Sequence, residues 1–322
     1  MREGVLFCGV RRERRAMAGT LHELAAYIKP AGAFHRVVGE LCNRRTGPSE
    51  YYRLVSRRAQ QRRNGVTHDR PHQIKGKVIS ATIERRVDLT REHFKIWLRC
   101  AESFPFEPGQ YCTVGVDGVE RPYSIVSSPR EPLLELFVEL IPPPLGHLTP
   151  LLHALRVGDT VTLRPRAKGV FLLRPEFRNH VMVATVTGVA PFVSMLRYWL
   201  EGPGDDKRMY VLEGGSFGDE LGYDDELRAL AERNSQVRFV PTCSRPDDPR
   251  NVGWKGQTGR VHTIVEGHVR AWQLEPGDTC IYACGHPQMI EDLRGRYAHT
   301  GFAFEEERFW KPHKDASVNF PR

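Results

Sequence analysis

Residues 121–129 read Arg-Pro-Tyr-Ser-Ile-Val-Ser-Ser-Pro, and three of these side chains offer complementary chemistry. Tyr123 supplies a flat aromatic face, Ser124 beside it a hydrogen-bond donor, and Arg121 a cation, on adjacent or alternating positions of what reads as a strand. A flavin dinucleotide asks a protein for these three things: a partner for its ring, a donor near N5 and a countercharge for its diphosphate. An Arg-x-Tyr-Ser strand is equally compatible with plain sheet, so its meaning depends on what accompanies it. Downstream, Gly-His-Leu-Thr-Pro-Leu-Leu at 146–152 predicts a helix that Thr149 caps and Pro150 opens, with backbone N–H groups free to hold a phosphate. Alone it reads as well as an ordinary capped helix.

Two further segments join a strand to a helix. In Thr-Val-Thr-Gly-Val-Ala-Pro at 185–191, Thr187 and Gly188 permit close backbone approach and Pro191 starts a helix whose N-terminus favours a pyrophosphate. It is not a Gly-x-Gly-x-x-Gly motif. In Cys-Gly-His-Pro-Gln-Met at 284–289, a neutral Cys284 thiol beside Gly285 can flank a nicotinamide ring, or can be inert packing.

These segments need elements to hold them. Alternating or β-branched stretches at 76–84, 93–100, 110–116, 122–127, 133–141 and 159–164, broken by turns such as Pro108-Gly109, predict a six-stranded antiparallel barrel. From His180 the rhythm becomes strand then helix: 180–185 and 190–200, 208–213 and 224–233, 236–241 and about 260–267, 279–283 and 287–298. That alternation predicts a Rossmann-like parallel sheet wrapped by helices. The expected domains are therefore a basic extension over 1–70, a barrel over 71–176 and an α/β domain over 177–322.

The net charge of +8 resembles a nucleic-acid signal until it is divided. Residues 1–70 hold 15 Lys/Arg against 6 Asp/Glu, and the rest 32 against 33, so the body is neutral and no nucleic-acid partner is expected. The head has few large apolar clusters to offset the entropy of ordering it, and is expected to be largely disordered: an electrostatic arm for an acidic carrier, or sequence upstream of a later start such as Met17. No apolar run reaches the roughly 18 residues of a membrane span, and the first 30 residues lack a signal core, which together predict a cytoplasmic protein with no membrane partner. The 7 cysteines follow no disulfide or cluster spacing, and no His, Cys or acidic pattern reads as a metal site, so any iron–sulfur centre is expected on another protein.

In this order, the four segments resemble the ferredoxin–NADP reductase family, especially its bacterial ferredoxin/flavodoxin branch, over about residues 74–310. The resemblance implies an FAD-binding barrel followed by an NADP(H)-binding domain. Arg121, Pro122, Tyr123 and Ser124 match the flavin strand, with Tyr123 on the ring and Ser124 the polar group nearest the hydride acceptor. Val138, Glu139 and Leu140 match a flavin-lining strand that acts through its backbone, and His147, Leu148 and Thr149 match the diphosphate turn. Thr187 and Gly188, with Cys284 and Gly285, match the coenzyme turns, Cys284 positioning the nicotinamide. Ser244, Arg245 and Arg260 match the 2′-phosphate site, though as surface loops they read equally as solvated charge. Glu307-Arg308-Phe309-Trp310 is similar to the branch's terminus, whose aromatics cover the flavin and adenine.

Three departures stand out. Val186 lies where the family has glycine, 12 residues follow Trp310, and Ser216 replaces a third arginine while Glu213 offers a ribose acceptor as in NAD sites. The expected function is hydride transfer from NADPH to FAD and single-electron delivery to ferredoxin or flavodoxin by a monomer. NAD(H) and a place as the NADH-dependent reductase of a multicomponent oxygenase form the alternative, and a binding subunit that has lost catalysis is a third reading that the intact site residues oppose.

Overall fold

The computed structural model describes residues 76–143, 145–202 and 206–308, so the expectations for the 1–70 head and for Phe309 and Trp310 lie outside the described residues. The first sheet comprises β1 (Ile79–Asp88), β2 (His93–Cys100), β3 (Tyr111–Val116), β4 (Val119–Ser124), β5 (Leu134–Glu139) and β6 (Thr160–Leu163). Its order is β4-β3-β6-β1-β2-β5, every pairing antiparallel. Alternation drives it: Phe94, Ile96 and Leu98 of β2 point inward between Lys95, Trp97 and Arg99. The two edge strands meet where Val126 N–H donates to the Glu135 carbonyl at 2.9 Å, and the sheet curls into a nearly closed barrel.

One helix, α1 (Thr149–Ala154), plugs the barrel with Leu148, Leu152 and Leu155. Its N-cap is Leu148, and the Thr149 hydroxyl forms no cap bond, which corrects the sequence expectation. That hydroxyl instead donates to the Ile141 carbonyl at 2.9 Å and accepts from Ile141 N–H at 3.0 Å, closing the 141–149 loop into a hook. A bulge in β1 between Ile83 and Arg85 turns Arg86 onto the far end of α1, where it donates to the Leu152 and Leu155 carbonyls at 3.2 and 2.9 Å.

The second sheet contains β7 (Asn179–Thr185), β8 (Arg208–Gly215), β9 (Val237–Cys243), β10 (Gln257–Thr258), β11 (Thr279–Cys284) and β12 (Ala303–Glu307), ordered β10-β9-β8-β7-β11-β12 and parallel throughout. The short β10 and the edge strand β12 have no counterpart in the sequence rhythm. Helices α2 (Ala190–Leu200) and α3 (Asp224–Arg233) cover one face, α4 (Val261–Ala271) and α5 (Pro287–Tyr297) the other. Covered on both sides, β7 and β11 read as near-continuous apolar runs. The core on the α2–α3 face continues into the barrel through Val126, Phe137 and Phe171. β5 is therefore buried on both faces, with Leu134, Leu136 and Val138 in the barrel core and Glu135 and Phe137 turned toward the α/β sheet's helices.

Candidate active site between the two sheets

Strand order reverses between β7 and β11: from β7 the chain moves outward to β8, then returns to lay β11 on the other flank. A crevice opens at the carboxyl ends of strands at such a switch point. There β7 continues into a 3-10 turn over Val186–Val189 and β11 into Gly285. The two turns touch. A first side-chain carbon on Gly188 would collide with the Cys284 carbonyl oxygen, and one on Gly285 would collide with Thr185 Oγ1, so only glycine fits either place. His286 N–H donates to Thr185 Oγ1 at 2.7 Å and ties the turns together. Val186 has φ 45°, a left-handed conformation that β-branched residues seldom adopt, which is a physical reason for glycine in the matching motif.

The register of β11 with β12 sets Glu307 opposite Cys284. Cys284 is fully buried, and burial, reinforced by Glu307, pushes its thiol well above the ordinary range, so it stays neutral. Glu307 is 9% exposed, its Oε2 has no partner among the described residues, and burial pushes its carboxyl up to about 7. A side-chain carbon on Gly169 would sit 3.5 Å from Glu307 Oε1 and 3.2 Å from the Tyr111 ring. Tyr111 is the strand partner of Ser124. A continuous line of neighbours thus joins the flavin-type strand to the coenzyme-type turn. Ser124 is 8% exposed, and its Oγ is buried without a partner among the described residues.

On the barrel side Tyr123 is half-buried, with Arg121 and Pro122 exposed beyond it. Loss of solvent and then the Arg121 cation lower the His147 imidazole, so the strand and the hook loop converge on one place. Val138 and Leu148 point into the barrel core, Thr149 holds the hook, Glu139 ends β5 and Leu140 follows it. The side chains of Val138, Leu148 and Thr149 are therefore committed within the protein, leaving only their backbone toward the outside.

At the outer end of the crevice, Ser244 N–H donates to the Gly215 carbonyl at 2.9 Å and Gly259 N–H to the Cys243 carbonyl at 2.8 Å. These bonds gather Ser244, Arg245 and Arg260 beside Ser216. The Arg245 and Arg250 guanidiniums lie 5.5 and 3.8 Å from the Phe217 ring centre. Glu213 is a correction: β8 runs two residues beyond it, alternation turns its side chain onto the covered α2–α3 face with Met209 and Val211, and at 0% exposure it reaches no ribose.

The sequence presents Glu307 only as the acid of the Glu-Arg-Phe-Trp terminus, where the role falls to the aromatics; that motif is the signal for Glu307 as a site residue. The site gathers a hydroxyl buried without a partner among the described residues, a carboxyl raised to about 7 and two turns with no room for side chains. Through these features a ring and a pyrophosphate can be approached closely.

Residues 182–295 match the family model described as the oxidoreductase NAD-binding domain. The chain is 30% identical over 209 residues to the flavodoxin/ferredoxin–NADP reductase of Escherichia coli K12, covering 60% of this chain and 79% of that protein. It is 31% identical over 189 residues to the toluate 1,2-dioxygenase electron transfer component of Pseudomonas putida, covering 58% of this chain and 52% of that one. A Neisseria gonorrhoeae ferredoxin NADP+ reductase solved with bound FAD and NADP superposes with a TM-score of 0.63 at 27% identity, over 73% of this chain and 100% of that one.

Proposed function

Because the chain belongs to the flavodoxin/ferredoxin–NADP reductase family, we propose that it draws electrons from NADPH through FAD and hands them singly to a ferredoxin or flavodoxin. The supporting observation is the line from Ser124 through Tyr111 and Gly169 to Glu307 and Cys284, which gathers groups from both sheets around one crevice. When bound, FAD accepts hydride from the nicotinamide and releases its electrons one at a time.

The chain's own groups then have separable roles. Arg121 and His147 grip the FAD diphosphate, and Tyr123 lies against the ring. The Ser124 hydroxyl donates at the reacting edge. Cys284, neutral and buried, shapes the nicotinamide pocket without competing as a nucleophile. The Glu307 carboxyl, raised by burial to about 7, can take up or give back a proton near neutrality as the site changes charge. Gly188 and Gly285 admit the coenzyme backbone, and Ser244, Arg245 and Arg260 receive the 2′-phosphate.

The test is a visible spectrum and a turnover assay. The purified chain should carry one non-covalent FAD and reduce a ferredoxin or flavodoxin with NADPH. A protein that stays colourless after incubation with FAD would overturn the reading. A second reading, an NADH-dependent reductase component serving an oxygenase, is favoured by Ser216 in place of a third arginine; a higher kcat/KM with NADH than with NADPH would select it.

A further inference from the structure

α2 has two ends with different duties. Its first turn follows the coenzyme-type turn at Val186–Val189, and its last carries Arg197. The Arg197 guanidinium leaves its own domain and donates through Nη1 to Glu135 Oε2 of the barrel strand β5 at 2.6 Å, with Glu131 at 3.3 Å. Through Nε and Nη2 it also donates to Glu226 of α3 at 2.8 Å each. Tyr223, just before α3, donates its hydroxyl to Glu135 Oε1 at 2.8 Å and packs edge-on against Phe137 at 5.6 Å. Lys95 of β2 sits over the Tyr223 ring, 3.6 Å from its centre. Both oxygens of Glu135, 1% exposed, are thereby taken by groups from the other sheet's domain.

From this geometry we infer that the Glu135–Arg197–Tyr223 cluster is a positioning clamp that sets the height and tilt of the α2 coenzyme turn over the flavin strand. Apolar burial alone would hold the domains together but leave them free to slide, because the hydrophobic effect is non-directional. A guanidinium fork bound to carboxylates on two elements allows one orientation. Ser194, one turn earlier on α2, adds a second fixed point by donating Oγ to the Ser127 carbonyl at 2.7 Å. The clamp's role rests on the FAD and NADPH reading above, and hydride transfer is sensitive to it because a misplacement of about 1 Å can cost roughly 100-fold in rate.

The experiment compares Arg197→Met with the double variant Glu135→Gln plus Arg197→Met. The single variant strands Glu135 and should unfold at lower urea. The double variant removes the stranded charge while the amide carbonyl that replaces the carboxylate still accepts from Tyr223, so its urea midpoint should return toward wild type. If the cluster positions the coenzyme turn, the double variant should keep stoichiometric FAD and its coenzyme KM within about threefold. Flavin reduction by saturating NADPH should nevertheless stay at least about tenfold slower, and Arg197→Lys should restore part of the rate. A double variant that regains both stability and wild-type flavin reduction would overturn the inference and leave the cluster a stability element. Absence of FAD from the wild-type chain would overturn the functional reading instead, so the two failures are distinguishable.

Discussion

Glu135 on the barrel and Glu213 on the α/β sheet are equally hidden from water, yet their surroundings are opposites. Glu135 receives a guanidinium and a phenol hydroxyl. Glu213 has neither oxygen partnered among the described residues, and burial, aided by Asp224 and opposed by Lys95, drives its carboxyl far above the ordinary range. The same side chain is thus half of an ion pair in one place and a neutral acid in the other. Burial alone does not assign a charge; the donors within reach do.

The contrast is broken most severely by Glu135→Ala. Arg197 loses its most buried partner and Tyr223 its acceptor, and stability should fall by about 3–5 kcal/mol in urea unfolding. Glu307 is the intermediate case by degree, its Oε2 buried without a partner among the described residues and its carboxyl raised from 4.5 to about 7. A raised acid binds its proton more tightly when folded, so the wild type should lose stability as pH climbs from 4.5 through 7 and lose no more above that. Glu307→Gln lacks this loss, and its advantage should grow to about 3 kcal/mol across that window and then stay flat. Glu213→Leu should be stabilising by about 1–3 kcal/mol near pH 8, where keeping the orphaned carboxyl protonated is most costly, and less so at about pH 5. A destabilised Leu variant at that higher pH would mean that Glu213 has a partner after all. The smallest effect tests backbone rather than charge: Val186→Gly should relieve the left-handed strain at φ 45° and leave the protein as stable or about 1 kcal/mol more so, read as a shift in Tm.

Much of the architecture is legible in the sequence because its signals are local. The period-2 strands of the barrel and the strand–helix rhythm after His180 both follow from alternation within short windows, and the Cys284 segment falls at a strand end as read. The strand read over 122–127 instead runs Val119–Ser124, so Ser124 closes it. What stays hidden depends on neighbours far away in the chain. Leu-Glu-Leu-Phe-Val-Glu at 134–139 alternates like a half-exposed strand, and only a second domain laid over it turns Glu135 into a buried acceptor. Glu213 looks like a strand-end acid until the two further residues of β8 are paired. Thr149 fits a cap by type, but the Ile141 backbone is a nearer partner. Glu307 meets Cys284 only through a parallel pairing that sequence spacing does not specify.

The interlocked turns at Gly188 and Gly285 bear on how such chains can diverge. Each glycine presses against the backbone or side chain of the other turn, although the two are distant in sequence. The two turns consequently form one unit of inheritance. A chimera built by crossing this chain with a relative between α2 and β11 would join turns that were never selected together. Crossovers placed before β7 would carry the pair intact, and a library of both kinds should show functional hybrids concentrated in the second.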